Sequence, residues 1–466
     1  MLTELRHRLG GDSGSEAAGY GKRAGLLSIG VGLAGLVTYL FFAISSHVLD
    51  TTEYGELVIC WSAVFITVSI LQRPVEQLLS RTVSEHIAHG EGYSRPLAVA
   101  AGIQILVSAS FFGIALLLRG PIQNGLLHGN ETLYWIGIAA IAAYGASYFA
   151  RGLLAGSHRL TLYASLIISE SLIRTLFPVL VALGITSGQD AVALGIVMAP
   201  ALSLICVPVA FLVGADRGNE ERRRAVVDSS SRKGLEFSAA KGSWFAGAVL
   251  VIMLSEQTFL NAGPLLVSGT AGAAAAGYIF NVLMIARAPL LLFQAVTTSL
   301  LPHLTRLRAE RKEEDFHASV RVTVIAVLVF GLVVAGVMAL AGPFLMQLAF
   351  SDKFSYERVG LILVSLGMGL YLCAATLNQG ALAQGQVRRA ATRWIFSAAI
   401  FVAWTLSSVV EEVDLRVEVG FIGSAALLCG LLLLIYRNPK PEAGHEIKPD
   451  SPEEVEVQLA AADEGS

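Results

Sequence analysis

Long apolar blocks, separated by short polar connections, run through most of this sequence. The blocks Val99–Leu118, Val322–Leu340 and Phe421–Ile435 contain no Asp, Glu, Lys or Arg. A helix needs about 20 apolar residues to cross a hydrocarbon core of roughly 30 Å. Because blocks near that length recur along the chain, the pattern predicts an all-α, polytopic membrane protein.

Hydropathy together with helix-breaking residues predicts twelve membrane-spanning helices. Their predicted bounds are 25–48, 55–79, 97–118, 132–150, 161–185, 190–214, 243–267, 275–301, 320–342, 359–383, 391–409 and 419–437. Short polar connections such as 187–190 predict antiparallel neighbours. An even number of spans places both termini on the same side of the membrane.

Composition and charge agree with this pattern and also predict the orientation of the protein in the membrane. The chain is 54% hydrophobic and 15% charged, whereas an average soluble domain has about 25% charged residues. Most Lys and Arg residues fall in connections on the side of the termini, Arg151 and Arg159 among them. The connections on the other side contain Arg119, Lys353, Arg358 and Arg416. Because Lys and Arg are retained in the cytoplasm, we predict a cell-membrane protein with both termini cytoplasmic.

The longest internal polar stretch, residues 215–241, has six predicted spans on each side. The predicted organisation is an N-terminal segment 1–24, an N-terminal six-helix bundle 25–214, a linker 215–241, a C-terminal six-helix bundle 242–437 and an acidic tail 438–466. The composition of the tail predicts disorder.

The two halves repeat each other at matching topological positions. Gly156 and Arg159, after the fourth span, correspond to Gly385 and Arg388, after the tenth. Similarly, 54–57 opens the second span as 276–279 opens the eighth. Halves with an even number of spans are parallel repeats, and such repeats underlie alternating access in transporters, with a binding site at their interface.

A polar stripe lies inside the second predicted span. Its members recur three or four positions apart, which places them on one helical face; they are Ser69, Gln72, Arg73, Glu76, Gln77 and Ser80. A charged side chain at membrane depth is costly and therefore faces protein or water. We predict that this face lines a water-filled cavity.

Two further pairs of opposite charges lie within predicted spans. Glu170 and Arg174 are four residues apart, a spacing that favours a local ion pair. Glu256 and Arg287, on the seventh and eighth spans, either pair with each other or face a cavity, and the sequence leaves both interpretations open. The candidate binding residues are Arg73, Glu76, Gln72, Gln77, Arg287, Glu256, Asn261 and Gln294, with Glu170 and Arg174 as a structural ion pair.

These residue types favour an anionic substrate, because the planar guanidinium of Arg binds phosphate well. A glutamate at mid-membrane is instead suited to carry a coupling proton. No Walker motif, metal-ligand cluster or Ser/His/Asp arrangement stands out in the sequence. We predict that the protein is not an enzyme, has no cofactor or bound metal and binds no nucleic acid; a coupling ion, H⁺ or Na⁺, is left open.

Four segments carry motifs that occur together in one family. Residues 49–55 resemble L-x-x-x-E-Y-G, and 151–159 with Tyr163, Glu170 and Arg174 resemble R-G-x-L-x-G-x-x-R…Y…E…R. Residues 276–304 resemble A-G-x-Y…A-P…L-L-P-x-L, with Tyr278 one position early, and 342–354 resemble G-P…F-x-x-x-F. Through these motifs, residues 25–437 resemble the polysaccharide-biosynthesis flippases of the multidrug/oligosaccharidyl-lipid/polysaccharide (MOP) exporter superfamily.

The resemblance implies a V-shaped fold of two six-helix bundles whose first, second, seventh and eighth spans face a central cavity. Arg73, Glu76, Glu256 and Arg287 would face that cavity, whereas Glu170 and Arg174 would lie within one bundle. The implied activity is translocation of an undecaprenyl-diphosphate-linked glycan from the cytoplasmic to the outer leaflet for surface polysaccharide biosynthesis. The implied partners are membrane lipid, this glycan, and the glycosyltransferases and polymerase of its pathway. Few cavity arginines and no extra helix pair disfavour the peptidoglycan precursor as the substrate.

Three alternatives remain. A multidrug antiporter of the same superfamily would have a cavity dominated by acidic residues. A major facilitator protein would carry a G-x-x-x-D-R-x-G-R-R loop after its second span, where this chain has 81–86, R-T-V-S-E-H. A membrane scaffold that recruits glycan enzymes would not depend on cavity residues.

Overall fold

The computed structural model describes the backbone of residues 12–88, 90, 92–205, 239–310 and 312–438, and most of their side chains. The all-α prediction is confirmed: the described residues form helices and no strand. The helices are α1 Asp12–Val48, α2 Thr51–Leu71, α3 Arg73–Ala88, α4 Ser94–Leu117, α5 Glu131–Gly156, α6 Leu160–Ala182, α7 Gln189–Ser203, α8 Ala239–Ala309, α9 Glu313–Phe350, α10 Arg358–Ala383, α11 Val387–Leu406 and α12 Val413–Arg437. A short π-helix, Pro121–Leu126, and a 3-10 turn, Asp352–Phe354, lie in connections.

These helices correspond to the twelve predicted spans once two local features are recognised. Helices α2 and α3 together form the second span, interrupted at Gln72. Helix α8 contains the seventh and eighth spans, which meet at Gly272, where φ is 83° and ψ is 180°. Within the described residues, nine stretches are long and apolar enough to cross a membrane. Helix α8, which contains two predicted spans, is one of these stretches, and α7 and α11 are not among them.

Several helices extend beyond their predicted bounds, because hydropathy detects only the apolar part of a helix. Helix α1 begins at Asp12 rather than 25, and α9 begins at Glu313 rather than 320. The acidic residues in the first turn of α9 interact favourably with the positive end of the helix dipole. The predicted end of the sixth span, most of the linker 215–241 and nearly all of the tail 438–466 lie outside the described residues.

The start of α2 shows how local sequence sets these boundaries. The Asp50 side chain accepts hydrogen bonds from the backbone N–H groups of Thr52 and Glu53, at 2.9 and 2.8 Å. In return, the Glu53 side chain accepts one from the backbone N–H of Asp50 at 3.3 Å. This reciprocal capping satisfies backbone donors that a helix start otherwise leaves unpaired.

The helices form two bundles, α1–α7 and α8–α12. We call the membrane side where α1 begins and α12 ends the termini side, and the side of residues 49–50 and 351–357 the opposite side. The core of the second bundle contains Phe259, stacked on Phe401 at 5.6 Å and packed against Trp394 and Phe421. The two bundles meet mainly where α2 packs along α8.

Candidate functional site

A cavity of about 910 Å³ lies between the two bundles. Helices α1, α3, α5 and α6 supply most of its lining, and α8 supplies Met253, Gln257, Leu260, Asn261, Phe280, Met284 and Arg287. Its wall also contains aromatic rings: Tyr39, Phe42, Trp61, Phe65, Tyr144, Tyr148, Tyr163 and Phe280. A charged or polar group that enters the cavity therefore meets both cations and aromatic faces.

The cavity extends towards the termini side and stops short of the opposite side. Its lining reaches Ser84, near the end of α3, and Leu160, at the start of α6. Towards the opposite side the lining ends at Trp61 and Phe280. At this end of the cavity, the Phe42 and Phe280 rings pack against each other across the two bundles, with centroids 4.6 Å apart.

Cationic side chains outnumber anionic ones on the cavity wall. Five arginines and two glutamates line it: Arg73, Arg81, Arg151, Arg174, Arg287, Glu76 and Glu170. At neutral pH these groups give an excess of positive charge, because Arg stays protonated in proteins. Such a wall attracts anions and repels cations.

One glutamate binds two arginines in the first bundle. Glu170 accepts a hydrogen bond from Arg151 at 2.5 Å through one carboxylate oxygen and from Arg174 at 3.1 Å through the other. The Arg174 guanidinium lies over the Trp61 ring, 4.6 Å from the ring centroid. The Arg151 guanidinium lies over the Tyr148 ring, 4.5 Å from the ring centroid. The predicted Glu170–Arg174 pair is thus formed, but it also faces the cavity, which the family resemblance did not imply.

Arg73 and Glu76 lie on the cavity wall beside this network. Glu76 accepts a hydrogen bond from the Tyr163 hydroxyl at 2.8 Å. Arg73 is within reach of the Tyr148 hydroxyl and interacts electrostatically with both Glu76 and Glu256. Glu256 belongs to the second bundle, so this interaction joins charges of opposite bundles, although Glu256 does not line the cavity.

Arg287 does not pair with Glu256, one of the two interpretations that the sequence left open. Its only described hydrogen bond goes from Nη1 to Asn261 Oδ1, at 3.3 Å. Its Nε and Nη2 atoms are buried and have no described hydrogen-bond partner. Asn261 in turn donates to Gln257 at 2.8 Å. Arg287 thus lines the cavity with a buried guanidinium whose hydrogen-bonding capacity is only partly used, and an unpaired buried donor is costly.

The predicted polar stripe of the second span is split by the break between α2 and α3. Arg73, Glu76, Gln77 and Ser80 line the cavity, whereas Gln72 is fully buried and accepts a hydrogen bond from Gln104 at 2.5 Å. Gln72 lies at the interruption itself, and its side chain packs against Gln104 of α4 and beside Gly145 of α5. The position of Gln72 therefore differs from the prediction. The side chain of Gln294 lies outside those described.

Arg151 and the cavity tyrosines are absent from the binding residues that the sequence predicts. The charge pattern assigns Arg151 to a connection, but it lies in α5, is 7% exposed and pairs with Glu170. The R…E…R motif did contain both partners. Tyr144, which accepts a hydrogen bond from Arg174 at 2.8 Å, gave no sequence signal, because an isolated tyrosine in a membrane helix is common.

The opposite side of the interface is closed by direct contact between α2 and α8. The Tyr54 hydroxyl donates a hydrogen bond to the Asn281 side chain. Next to it, the backbone of Gly55 lies so close to Ala273 that a Cβ at position 55 would be 1.9 Å from the Ala273 carbonyl oxygen. The structure is therefore open towards the termini side and closed on the opposite side. Among the described residues, no group of three or more His, Cys, Asp and Glu side chains could hold a metal ion.

No protein-family model and no curated protein matches the sequence. Solved structures of similar fold do exist. An inward-facing multidrug resistance MATE family transporter of the MOP superfamily matches with a TM-score of 0.65 and 10% identity, over 95% of this chain and 99% of the other. A mutant of the Vibrio cholerae MATE transporter VcmN matches with a TM-score of 0.58 and 16% identity, over 91% and 97% of the two chains. The eukaryotic MATE transporter AtDTX14 matches with a TM-score of 0.59 and 13% identity, over 90% and 96%.

These similarities extend over nearly the full length of both partners. The predicted fold class, two six-helix bundles in the V-shaped MOP arrangement, is confirmed by them. The chain thus has the same fold as these solved MATE transporters.

Proposed function

We propose that this protein is an alternating-access transporter that translocates a lipid-diphosphate-linked oligosaccharide from the cytoplasmic to the outer leaflet. The observation that carries this proposal is the excess of arginine on the cavity wall, with unsatisfied donors on Arg287. Two phosphates supply several acceptor oxygens and negative charge, which match these groups.

The shape of the cavity supports the proposed direction of transport. The wall reaches the termini side, which the positive-inside rule assigns to the cytoplasm. A head group made in the cytoplasm would enter from that side. Its lipid tail would stay in the bilayer, because moving long hydrocarbon into water costs about 0.8 kcal/mol per CH₂. Membrane lipid, glycosyltransferases and a polymerase of the same pathway would then be the partners in the cell membrane.

The five arginines also bear on the choice of glycan. Their number removes the argument from few cavity arginines against the peptidoglycan precursor. The lack of an extra helix pair among the described residues still disfavours that precursor, and the proposal names only the class of diphosphate-linked glycans. Glu256 is our candidate carrier of a coupling proton, because it is a membrane-embedded acid whose interaction with Arg73 of the other bundle would be lost on protonation.

The second candidate function is an ion-coupled multidrug antiporter. It is favoured by the structures of similar fold, which include a multidrug resistance transporter. An organic cation would need an acidic site, yet Glu76 and Glu170 each lie beside arginines. A scaffold that recruits glycan enzymes remains a third candidate; it would require neither the cavity nor its charges.

The test is transport by purified protein in vesicles. Fluorescent undecaprenyl diphosphate carrying one N-acetylhexosamine is placed in both leaflets, and a membrane-impermeant reductant measures how fast the inner-leaflet dye becomes accessible. We expect faster exposure than in protein-free vesicles, and no proton- or sodium-driven uptake of ethidium. Ethidium uptake without lipid exposure would support the antiporter instead. Neither activity, in protein that folds normally, would favour the scaffold.

A further inference from the structure

The connection between α9 and α10 reaches across the bundle interface on the opposite side. Helix α9 ends at Phe350, and Ser351 has φ 70° and ψ 154°. A non-glycine residue rarely adopts positive φ and does so at a cost. This conformation turns the chain sharply into the 3-10 turn Asp352–Phe354, which buries the Phe354 side chain completely.

Phe354 lies between one tyrosine from each bundle. Its ring centroid is 5.0 Å from that of Tyr54 in α2 and 5.0 Å from that of Tyr278 in α8. The two tyrosines flank the glycines that pack together here: a Cβ at Gly277 would be 3.3 Å from the Gly55 Cα. The repeated segments 54–57 and 276–279 thus meet each other, and Phe354 covers their junction.

The neighbouring Lys353 also bonds to both bundles. Its backbone carbonyl accepts a hydrogen bond from the Tyr278 hydroxyl at 2.5 Å. Its side-chain Nζ donates to the Leu49 carbonyl at 3.0 Å. Leu49 directly follows the end of α1, where unpaired carbonyls carry partial negative charge, so a lysine is favourable there.

The connection between α9 and α10 is held in the second bundle and also contacts the first bundle. Besides the Tyr278 bond, the Tyr356 hydroxyl donates to Glu418 in α12, so the base of the connection moves with that bundle. Among the described residues, its ring pair and hydrogen bond with the first bundle are Phe354–Tyr54 and Lys353–Leu49. Both contacts join the connection to the first bundle.

We propose that residues 351–356 are a latch that holds the opposite side closed and must release before that side opens. Opening between α2 and α8 would separate Tyr54 and Leu49 from the connection, and both contacts would break. The latch rests on the proposed transport function for its purpose, because release would let cargo leave on this side. It does not depend on the identity of the cargo.

The test measures the distance between the bundles directly. In a variant whose four cysteines are replaced by alanine, spin labels are attached at Asn124→Cys and Glu411→Cys, two exposed positions of opposite bundles on the opposite side. We expect Phe354→Ala to raise the ratio of long to short distances about threefold to tenfold, the range set by the loss of one aromatic pair. Lys353→Met should raise it less.

The matched control is Phe344→Ala, because Phe344 is 65% exposed on α9 and lies away from the junction. It should leave the distances unchanged. Wild-type distances in Phe354→Ala would overturn the latch; if that variant fails to fold, wild-type distances in both Lys353→Met and Phe354→Leu would do so. A distance shift without lipid exposure would refute only the proposed function, and lipid exposure without a shift only the latch.

Discussion

Gly55 and Ala273 touch through their backbones across the bundle interface. A Cβ on Gly55 would lie 1.9 Å from the Ala273 carbonyl oxygen and 2.3 Å from its carbonyl carbon. Because both atoms belong to the backbone, no side-chain rotation could relieve the overlap. The glycine is therefore required for α2 and α8 to approach this closely.

We expect Gly55→Ala to prevent full closure on the opposite side. The cavity would become reachable from that side, so a cysteine at Phe65, on the cavity wall, should react faster with an impermeant maleimide added there. Gly113→Ala is the control, since a Cβ at Gly113 meets nothing within 4 Å. Equal labelling of Phe65→Cys protein with and without Gly55→Ala would show that the contact is dispensable.

Glu170→Gln should strongly destabilise the first bundle. The substitution leaves Arg151 and Arg174 buried without their carboxylate, and breaking a buried ion pair from one side typically costs about 3–5 kcal/mol. The measurement is thermal unfolding in detergent. Glu85→Gln, which affects an exposed pair with Arg81, should change stability by less than about 1 kcal/mol. Similar unfolding of the two variants would mean that the network contributes little to folding.

Arg287→Met should preserve or raise thermal stability while it weakens binding. Replacing a buried, incompletely hydrogen-bonded charge with an apolar side chain of similar length is often neutral or stabilising. Retaining such a group at a cost in stability is typical of functional sites. The measurement compares the thermal unfolding midpoints of Arg287→Met and wild-type protein, and we expect the midpoint of the variant to be equal or higher. A clear loss of stability would assign Arg287 a structural role.

The sequence predicts the twelve helices well, because the cost of exposing backbone and polar groups to lipid makes every span an apolar helix. It predicts Arg73, Glu76 and Arg287 as cavity residues for the same reason, since charges avoid lipid. The sequence does not predict where a helix is interrupted or where it ends, and these features determine which side chains line the cavity. Gln72 packs against Gln104 rather than lining the cavity, and α5 continues to Gly156, which places Arg151 within the helix. Pairing between spans was equally hidden, as Arg287 shows by binding Asn261 rather than Glu256.

The central claim is that cavity arginines receive a diphosphate head group. The most direct measurement compares the exposure rate of the fluorescent undecaprenyl-diphosphate lipid in vesicles for wild-type protein, Arg287→Ala and Arg321→Ala. Arg321 is an exposed residue of α9 outside the cavity wall, and its loss should leave the rate unchanged. Loss of one charge-assisted contact of about 1.5–3 kcal/mol predicts a roughly tenfold to hundredfold slower rate for Arg287→Ala at subsaturating lipid. An undiminished rate in Arg287→Ala, with normal folding, would contradict the account.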